Sequence, residues 1–147
     1  SPPVLAEVSV FAALSSVNAC TQFDLFDNLS VDKVEYKGKS LPFTREYNAV
    51  FVDFPEYIEK GKVDSFTVHY SGNPIQATRA PWDGGFDWKK DSNGKPWVAT
   101  ACQGLGASVW WPNKDHQSDE VKSMLISVAV PNGVMNVSME DWSKQRK

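Results

Sequence analysis

The sequence has little of what most catalytic sites are built from. It holds two histidines, His69 and His116, and two cysteines, Cys20 and Cys102, among 147 residues. The motifs H-E-x-x-H, C-x-x-C and G-x-S-x-G and the phosphate-binding P-loop do not occur. His69 lies in FTVHYSG opposite the apolar alternation, so we interpret it as a solvent-facing or hydrogen-bonded strand residue. Nucleophilic catalysis has no support.

The sequence also lacks a strong charge of either sign and a long apolar run. Fifteen Lys and Arg residues oppose 18 Asp and Glu residues, which gives a net charge of -3 and a pI of about 5.3. Such a chain has no electrostatic attraction for nucleic acid or for anionic lipid. No apolar stretch approaches the ~20 residues that a membrane-spanning helix needs. We therefore predict neither a nucleic-acid partner nor a transmembrane segment.

The two cysteines allow either one disulfide or two buried thiols. Their apolar, strand-like surroundings favour free thiols only slightly, so the cellular compartment stays open. Residues 10–20, VFAALSSVNAC, end in small residues and a cysteine, as lipoprotein processing sites do. However, no basic leader precedes them and Glu7 interrupts, so a strand is the preferred interpretation.

The polar run 114–120, KDHQSDE, groups oxygen-bearing side chains of the kind that hard cations bind. It lacks the glycine and the alternate-ligand spacing of a calcium loop. We interpret it as a solvated loop.

Aromatic and turn-forming residues are plentiful, which suits β structure: six Trp, nine Gly and nine Pro. Alternating segments separated by turn signals predict strands near 7–14, 21–29, 31–36, 48–54, 64–72, 96–102, 124–130 and 134–138. Asn93-Gly94 predicts a hairpin turn. The fold predicted is an all-β, antiparallel two-sheet sandwich of about eight or nine strands. It forms one domain over 1–147, with 139–147 as a tail or short helix.

Five tryptophans fall within one third of the chain, and exposing several would be costly. If Trp110 and Trp111 lie on one strand, they point to opposite faces, and one of them looks outward. That predicts a ligand binder or half of an interface. Gln103 lies in QGLGA, where little side-chain bulk would hinder a ligand backbone. A glutamine that bonds its own loop is the plainer alternative.

The order of TVHYSGNP, RAPWDGGFDW, a hairpin and WVATACQGLGASVWWPNKDHQSDEVKSMLISVAVPNGVMNVS resembles a known domain. It is similar to the N-terminal domain of zinc aminopeptidases of the aminopeptidase N and leukotriene A4 hydrolase family, over about residues 5–138. Tyr70-Ser71-Gly72 matches the family's strand end, Gln103 its glutamine, Pro112 its proline and Asp115 its aspartate. The WWPNKDH variant resembles the branch found in Bacteroides-type bacteria.

The resemblance has departures. Asn113 stands where the family usually has cysteine, and His116-Gln117 replace Glu-Pro. The family's catalytic segments, G-x-M-E-N and H-E-x-x-H, are absent from these residues.

The resemblance implies a non-catalytic domain that packs on a missing catalytic domain. Gln103 and Gly104 would line the pocket near the first residue of a peptide, the substrate of the parent enzyme. Trp110, Trp111 and Trp82 would serve interdomain packing or stacking. Zinc would belong to the catalytic domain, with no cofactor in this chain. We predict that the isolated chain hydrolyses nothing, and we expect export to the periplasm or surface of a bacterium.

Two other classes of function stay open. One is a carbohydrate-binding sandwich that uses Trp82, Trp110 or Trp111 as stacking platforms. The other is a lipid-anchored interaction module attached through Cys20.

Overall fold

Antiparallel strands make up nearly all the regular structure in the computed structural model, which describes residues 4–13, 20–56, 63–116, 123–128, 135 and 137. These residues hold ten strands: β1 Val4–Ala13, β2 Cys20–Asp24, β3 Leu29–Tyr36, β4 Lys39–Ser40, β5 Phe43–Glu46, β6 Ala49–Asp53, β7 Val63–Gly72, β8 Gly85–Lys90, β9 Pro96–Ala101 and β10 Ser123–Val128. One 3-10 turn spans Ala107–Val109. The predicted all-β antiparallel sandwich is confirmed.

The strands form two facing sheets and a separate hairpin. The larger sheet has the order β10-β1-β7-β3-β4, and the smaller has the order β2-β6-β5. The strand β7 lies at the centre of the larger sheet, paired along its full length with β1 and on its other side with β3. The hairpin β8-β9 turns at Asn93-Gly94, as the sequence predicts.

The core lies between the two sheets, because alternate residues of the facing strands point inward. Phe66, Val68 and Tyr70 of β7 are buried, as their spacing predicts. The ring of Phe66 meets Phe23 of the smaller sheet, with centroids 6.2 Å apart, and Phe54, which follows β6, at 5.7 Å. These aromatic contacts join the two layers.

The strand predicted over 21–29 ends early in the structure. The strand β2 stops at Asp24, and the chain then turns. Arg45 explains the turn: its guanidinium donates to the carbonyl oxygens of Leu25 and Leu29, at 2.6 and 2.7 Å. Both leucines stay buried. The short strands β4 and β5 were not predicted.

Two predicted segments lie largely outside the described residues. They are the strand at 134–138 and the tail at 139–147.

Candidate functional site

The site predicted from the sequence lies at one end of the sandwich, where a loop carries Gln103. This segment, Cys102–Gly106, is called the glutamine loop. The Gly106 amide closes it by donating to the Cys102 carbonyl oxygen at 3.0 Å. Gly104 and Gly106 have φ angles of +83° and +82°, a region that favours glycine. Gln103, Gly104 and Leu105 are exposed.

The base of the glutamine loop is held by Asp115. A Cβ built at Gly106 would lie 2.6 Å from Cγ of Asp115, so the carboxylate occupies that space. Ser108 Oγ donates a hydrogen bond to Asp115 Oδ2. The Asp115 amide donates to Asp24 Oδ2 at 3.1 Å, which joins this segment to the end of β2.

One flank of the glutamine loop packs on the turn at 82–84. A Cβ at Gly84 would lie 2.6 Å from Cδ1 of Leu105, so only glycine leaves room for the leucine. The carbonyl oxygen of Trp82 lies 3.9 Å from the Cβ position of Gly104. The Trp82 side chain is 65% exposed. The structure therefore brings Trp82, Gln103 and Gly104 to one surface.

The carboxylate of Asp83 fixes the turn that carries Trp82. Its Oδ2 accepts hydrogen bonds from the amides of Thr78 and Arg79, at 2.5 and 2.7 Å. Burial raises the pKa of Asp83, but hydrogen bonds to the ionised form outweigh burial and hold the pKa below its ordinary value. These two hydrogen bonds restrain the backbone turn from which the indole of Trp82 extends.

Trp110 and Trp111 follow the 3-10 turn and do not lie on a strand, so the strand argument about opposite faces does not apply to them. Both are half-buried, and their rings meet edge to face at 6.2 Å. Trp111 packs against the core. Trp110 contacts the ring of Phe86 on β8 at 6.4 Å, and its carbonyl oxygen accepts from the Tyr70 hydroxyl at 2.8 Å.

The hairpin adds apolar surface that the sequence did not single out. Trp97 is 61% exposed and Val98 is 43% exposed, and both lie on β9. A strand of this composition usually buries one face, so sequence alone gave no indication of this exposure.

The remaining candidate groups are dispersed. His69 Nε2 lies 2.7 Å from Glu35 Oε2, which confirms the interpretation of a hydrogen-bonded strand histidine. Cys20 and Cys102 are free thiols, and burial is the main cause of the raised pKa of Cys102. In the polar run 114–120, Asp115 and His116 are exposed, whereas residues 119 and 120 lie outside the described residues.

No group of three or more His, Cys, Asp or Glu side chains suited to a metal ion occurs in the described part of the chain. The same residues include no helix long and apolar enough to cross a membrane.

Comparison with known proteins gives a likeness of fold. No protein-family model matches the chain, and no curated protein matches it. Among solved structures it is similar to an M1 zinc metallopeptidase from Deinococcus radiodurans, with 18% identity and a TM-score of 0.58. That match covers 80% of this chain and 26% of the other.

Two further structures match in the same way. A two-domain M1 zinc metallopeptidase mutant bound to L-arginine is 18% identical, with a TM-score of 0.61 over 81% of this chain and 26% of that one. An M1 zinc metallopeptidase mutant from Deinococcus radiodurans, bound to a Tyr-Ser-Ala substrate, is 19% identical. Its TM-score is 0.59 over 80% of this chain and 26% of that one.

The chain thus spans about a quarter of the length of these metallopeptidases. At such identities the likeness is one of fold. It agrees with the fold that the sequence resemblance predicted.

Proposed function

We propose that this chain is the non-catalytic N-terminal β-sandwich domain of a zinc metallo-aminopeptidase. The observation that carries the proposal is the fold shared with about a quarter of the M1 metallopeptidase chains. The exposed glutamine loop supports it, because the resemblance assigns Gln103 to the substrate pocket. The described residues offer no metal-binding group, so the zinc would be held by residues of the catalytic domain.

In this proposal Gln103 binds the first residue of a peptide. Its side-chain amide offers two N–H donors and one carbonyl acceptor, which suit the polar backbone of a peptide terminus. Gly104 has no side chain, so a peptide backbone can approach the loop closely. The reaction, removal of the N-terminal residue, would take place on the catalytic domain, and this chain alone would be inactive.

Exposed apolar residues in and beside the glutamine loop support packing against a second domain. Trp82 and Leu105 are exposed large apolar side chains there, and Trp97 and Val98 are exposed on β9. Leaving such surface in water is unfavourable by roughly 25 cal/mol for each Å².

The test uses an aminopeptidase that contains this domain, identified by an H-E-x-x-H motif in the parent reading frame. We expect Gln103→Ala to raise KM about two- to tenfold with a smaller change in kcat, as the loss of one substrate hydrogen bond predicts. The control is Thr44→Ala, which removes an exposed polar side chain from β5. Equal KM values for the Gln103 variant and the wild type would contradict the pocket role.

The isolated 147-residue chain provides the second arm. We expect no aminopeptidase turnover from pure protein. Turnover that a chelator abolishes would overturn the proposal, because it would place the catalytic zinc in this chain.

A carbohydrate-binding module is the second candidate, and one observation favours it. Trp82 and Trp97 are exposed enough for a sugar ring to stack on them. Trp110 and Trp111 are less suited, since both are half-buried and pack on each other or on neighbouring rings. A glycan array would favour this candidate if it showed binding that Trp82→Ala or Trp97→Ala abolishes.

A further inference from the structure

Asp115 lies directly against the base of the glutamine loop without belonging to it. Its carboxylate fills the volume in which any side chain at position 106 would lie. It also accepts the hydroxyl hydrogen bond of Ser108, a residue that is only 1% exposed. One carboxylate therefore contacts both the last residue of the loop and the 3-10 turn that follows.

The smaller sheet fixes Asp115 in turn. Its amide donates to Asp24 Oδ2, and Asp24 ends β2. The neighbouring Asn113 pairs with Asp24 through two backbone hydrogen bonds of 2.6 and 3.1 Å. A continuous set of contacts therefore runs from β2 through Asp115 to Gly106.

We propose that Asp115 is a positioning residue that fixes the location of the Gln103 amide relative to the sandwich. This inference rests on the proposed function, in which Gln103 meets the peptide terminus. Binding groups must be held within about 0.5 Å of their productive geometry by the residues behind them. Two glycines with positive φ give the loop little intrinsic stiffness, so the carboxylate packed against Gly106 supplies the restraint.

The first test follows amide hydrogen exchange by NMR in the 147-residue chain. The Gly106 amide is the reporter, because it donates to the Cys102 carbonyl and so closes the loop. We expect Asp115→Ala to accelerate its exchange about tenfold or more, while the amides of β7 keep their wild-type rates. Unchanged exchange at Gly106 in this variant would overturn the proposal.

Two further variants separate positioning from a general effect of mutation. Asp115→Asn keeps the volume and an acceptor oxygen for Ser108, so its exchange should stay close to wild type. Asp32→Ala removes an exposed carboxylate from β3 and should not alter the Gly106 rate. Acceleration by Asp32→Ala equal to that by Asp115→Ala would overturn the assignment.

If Asp115→Ala does not fold, Ser108→Ala provides the same test. It removes the hydroxyl donor, and the exposed Asp115 carboxylate can bind water instead. We expect faster exchange at Gly106 in this variant as well. A wild-type rate would show that the Ser108–Asp115 contact does not hold the loop.

The second readout is kinetic and uses an aminopeptidase that contains this domain. We expect Asp115→Ala to raise KM about three- to tenfold with kcat within about twofold, and Asp115→Asn to restore KM. A fall in kcat with unchanged KM would overturn the positioning role. If Gln103→Ala itself left KM unchanged, the proposed pocket role of Gln103 would fail, whereas an unchanged Gly106 exchange rate would remove the positioning role of Asp115 alone.

Discussion

The strands β7 and β9 both carry aromatic and β-branched residues, but their surroundings are opposite. The strand β7 pairs on both sides and buries Phe66, Val68 and Tyr70 against the smaller sheet. The strand β9 pairs only with β8 among the described residues, and Pro96 to Thr100 are all exposed. Strand formation and burial are therefore separate properties. A tight turn and one partner are enough for β9, whereas β7 also has a second layer.

The difference leaves Trp97 and Val98 of β9 exposed, and Trp82 and Leu105 are exposed at the glutamine loop and the turn packed on it. The Tyr70 hydroxyl connects the segment that follows this loop to the core through the Trp110 carbonyl oxygen. This arrangement suits a domain whose loop-bearing end meets a partner.

The largest effect is expected for a matched valine pair. Val68 on β7 is fully buried, whereas Val98 on β9 is 43% exposed. Val68→Ala should lower the free energy of unfolding by about 2 to 3 kcal/mol, through lost burial and the cavity left behind. Val98→Ala should lower it by less than about 0.5 kcal/mol. Urea denaturation measures both, and equal losses would refute the comparison.

A smaller effect is expected at the hydrogen bond that joins β7 to the segment after the 3-10 turn. Tyr70→Phe removes the hydroxyl that donates to the Trp110 carbonyl and leaves that oxygen without its partner. We expect a loss of about 1 kcal/mol and a shift in tryptophan fluorescence, since Trp110 lies at the junction. A Phe variant with wild-type stability and emission would show that this bond does not couple the core to the loop.

A third effect depends on pH and concerns the opposite end of β7. Burial raises the pKa of Asp64, but hydrogen bonds from Tyr36 and Ser65 and the nearby Lys37 outweigh it and hold the pKa below 3.8, its ordinary value. A lowered folded-state pKa stabilises the fold above the unfolded-state pKa, and this contribution fades as pH falls.

Stability should therefore decline below about pH 4, and Asp64→Asn should make that decline shallower. Urea denaturation at pH 7 and pH 3 measures the change. Parallel losses in the wild type and the Asn variant would contradict the role of Asp64.

The smallest effect is expected on the face of the hairpin. Trp97 is 61% exposed, and Lys89 is its cross-strand neighbour. Trp97→Gln should change stability by no more than about 0.5 kcal/mol in the isolated chain. Thermal unfolding checks this. A loss of several kcal/mol would mean that the indole is already buried by contacts within this chain.

Local patterns in the sequence predicted much of the fold. The alternation in DSFTVHYSG identified the buried face of β7, and Asn93-Gly94 identified the hairpin turn. The short strands β4 and β5 could not be predicted in this way. Their few residues give too little alternation, and their pairing depends on neighbours across the sheet.

The candidate site was predictable only in part. Gln103 and Gly104 were identified by resemblance, and the structure places them on an exposed loop. The packing of the Asp115 carboxylate against Gly106 and of Leu105 against Gly84 was not predicted, because such contacts leave no periodic pattern in the sequence. The paired tryptophans were misleading, since an argument from strand geometry does not apply to a 3-10 turn.

The sequence by itself determined that the chain forms strands, which residues of β7 point inward, and where the hairpin turns. These are local properties, set by alternation and turn chemistry over a few residues. Only the tertiary structure decided where the glutamine loop stands and what supports it. That support depends on contacts between distant residues, such as Asp24 and Asp115, 91 positions apart, which exist only once the sheets have packed.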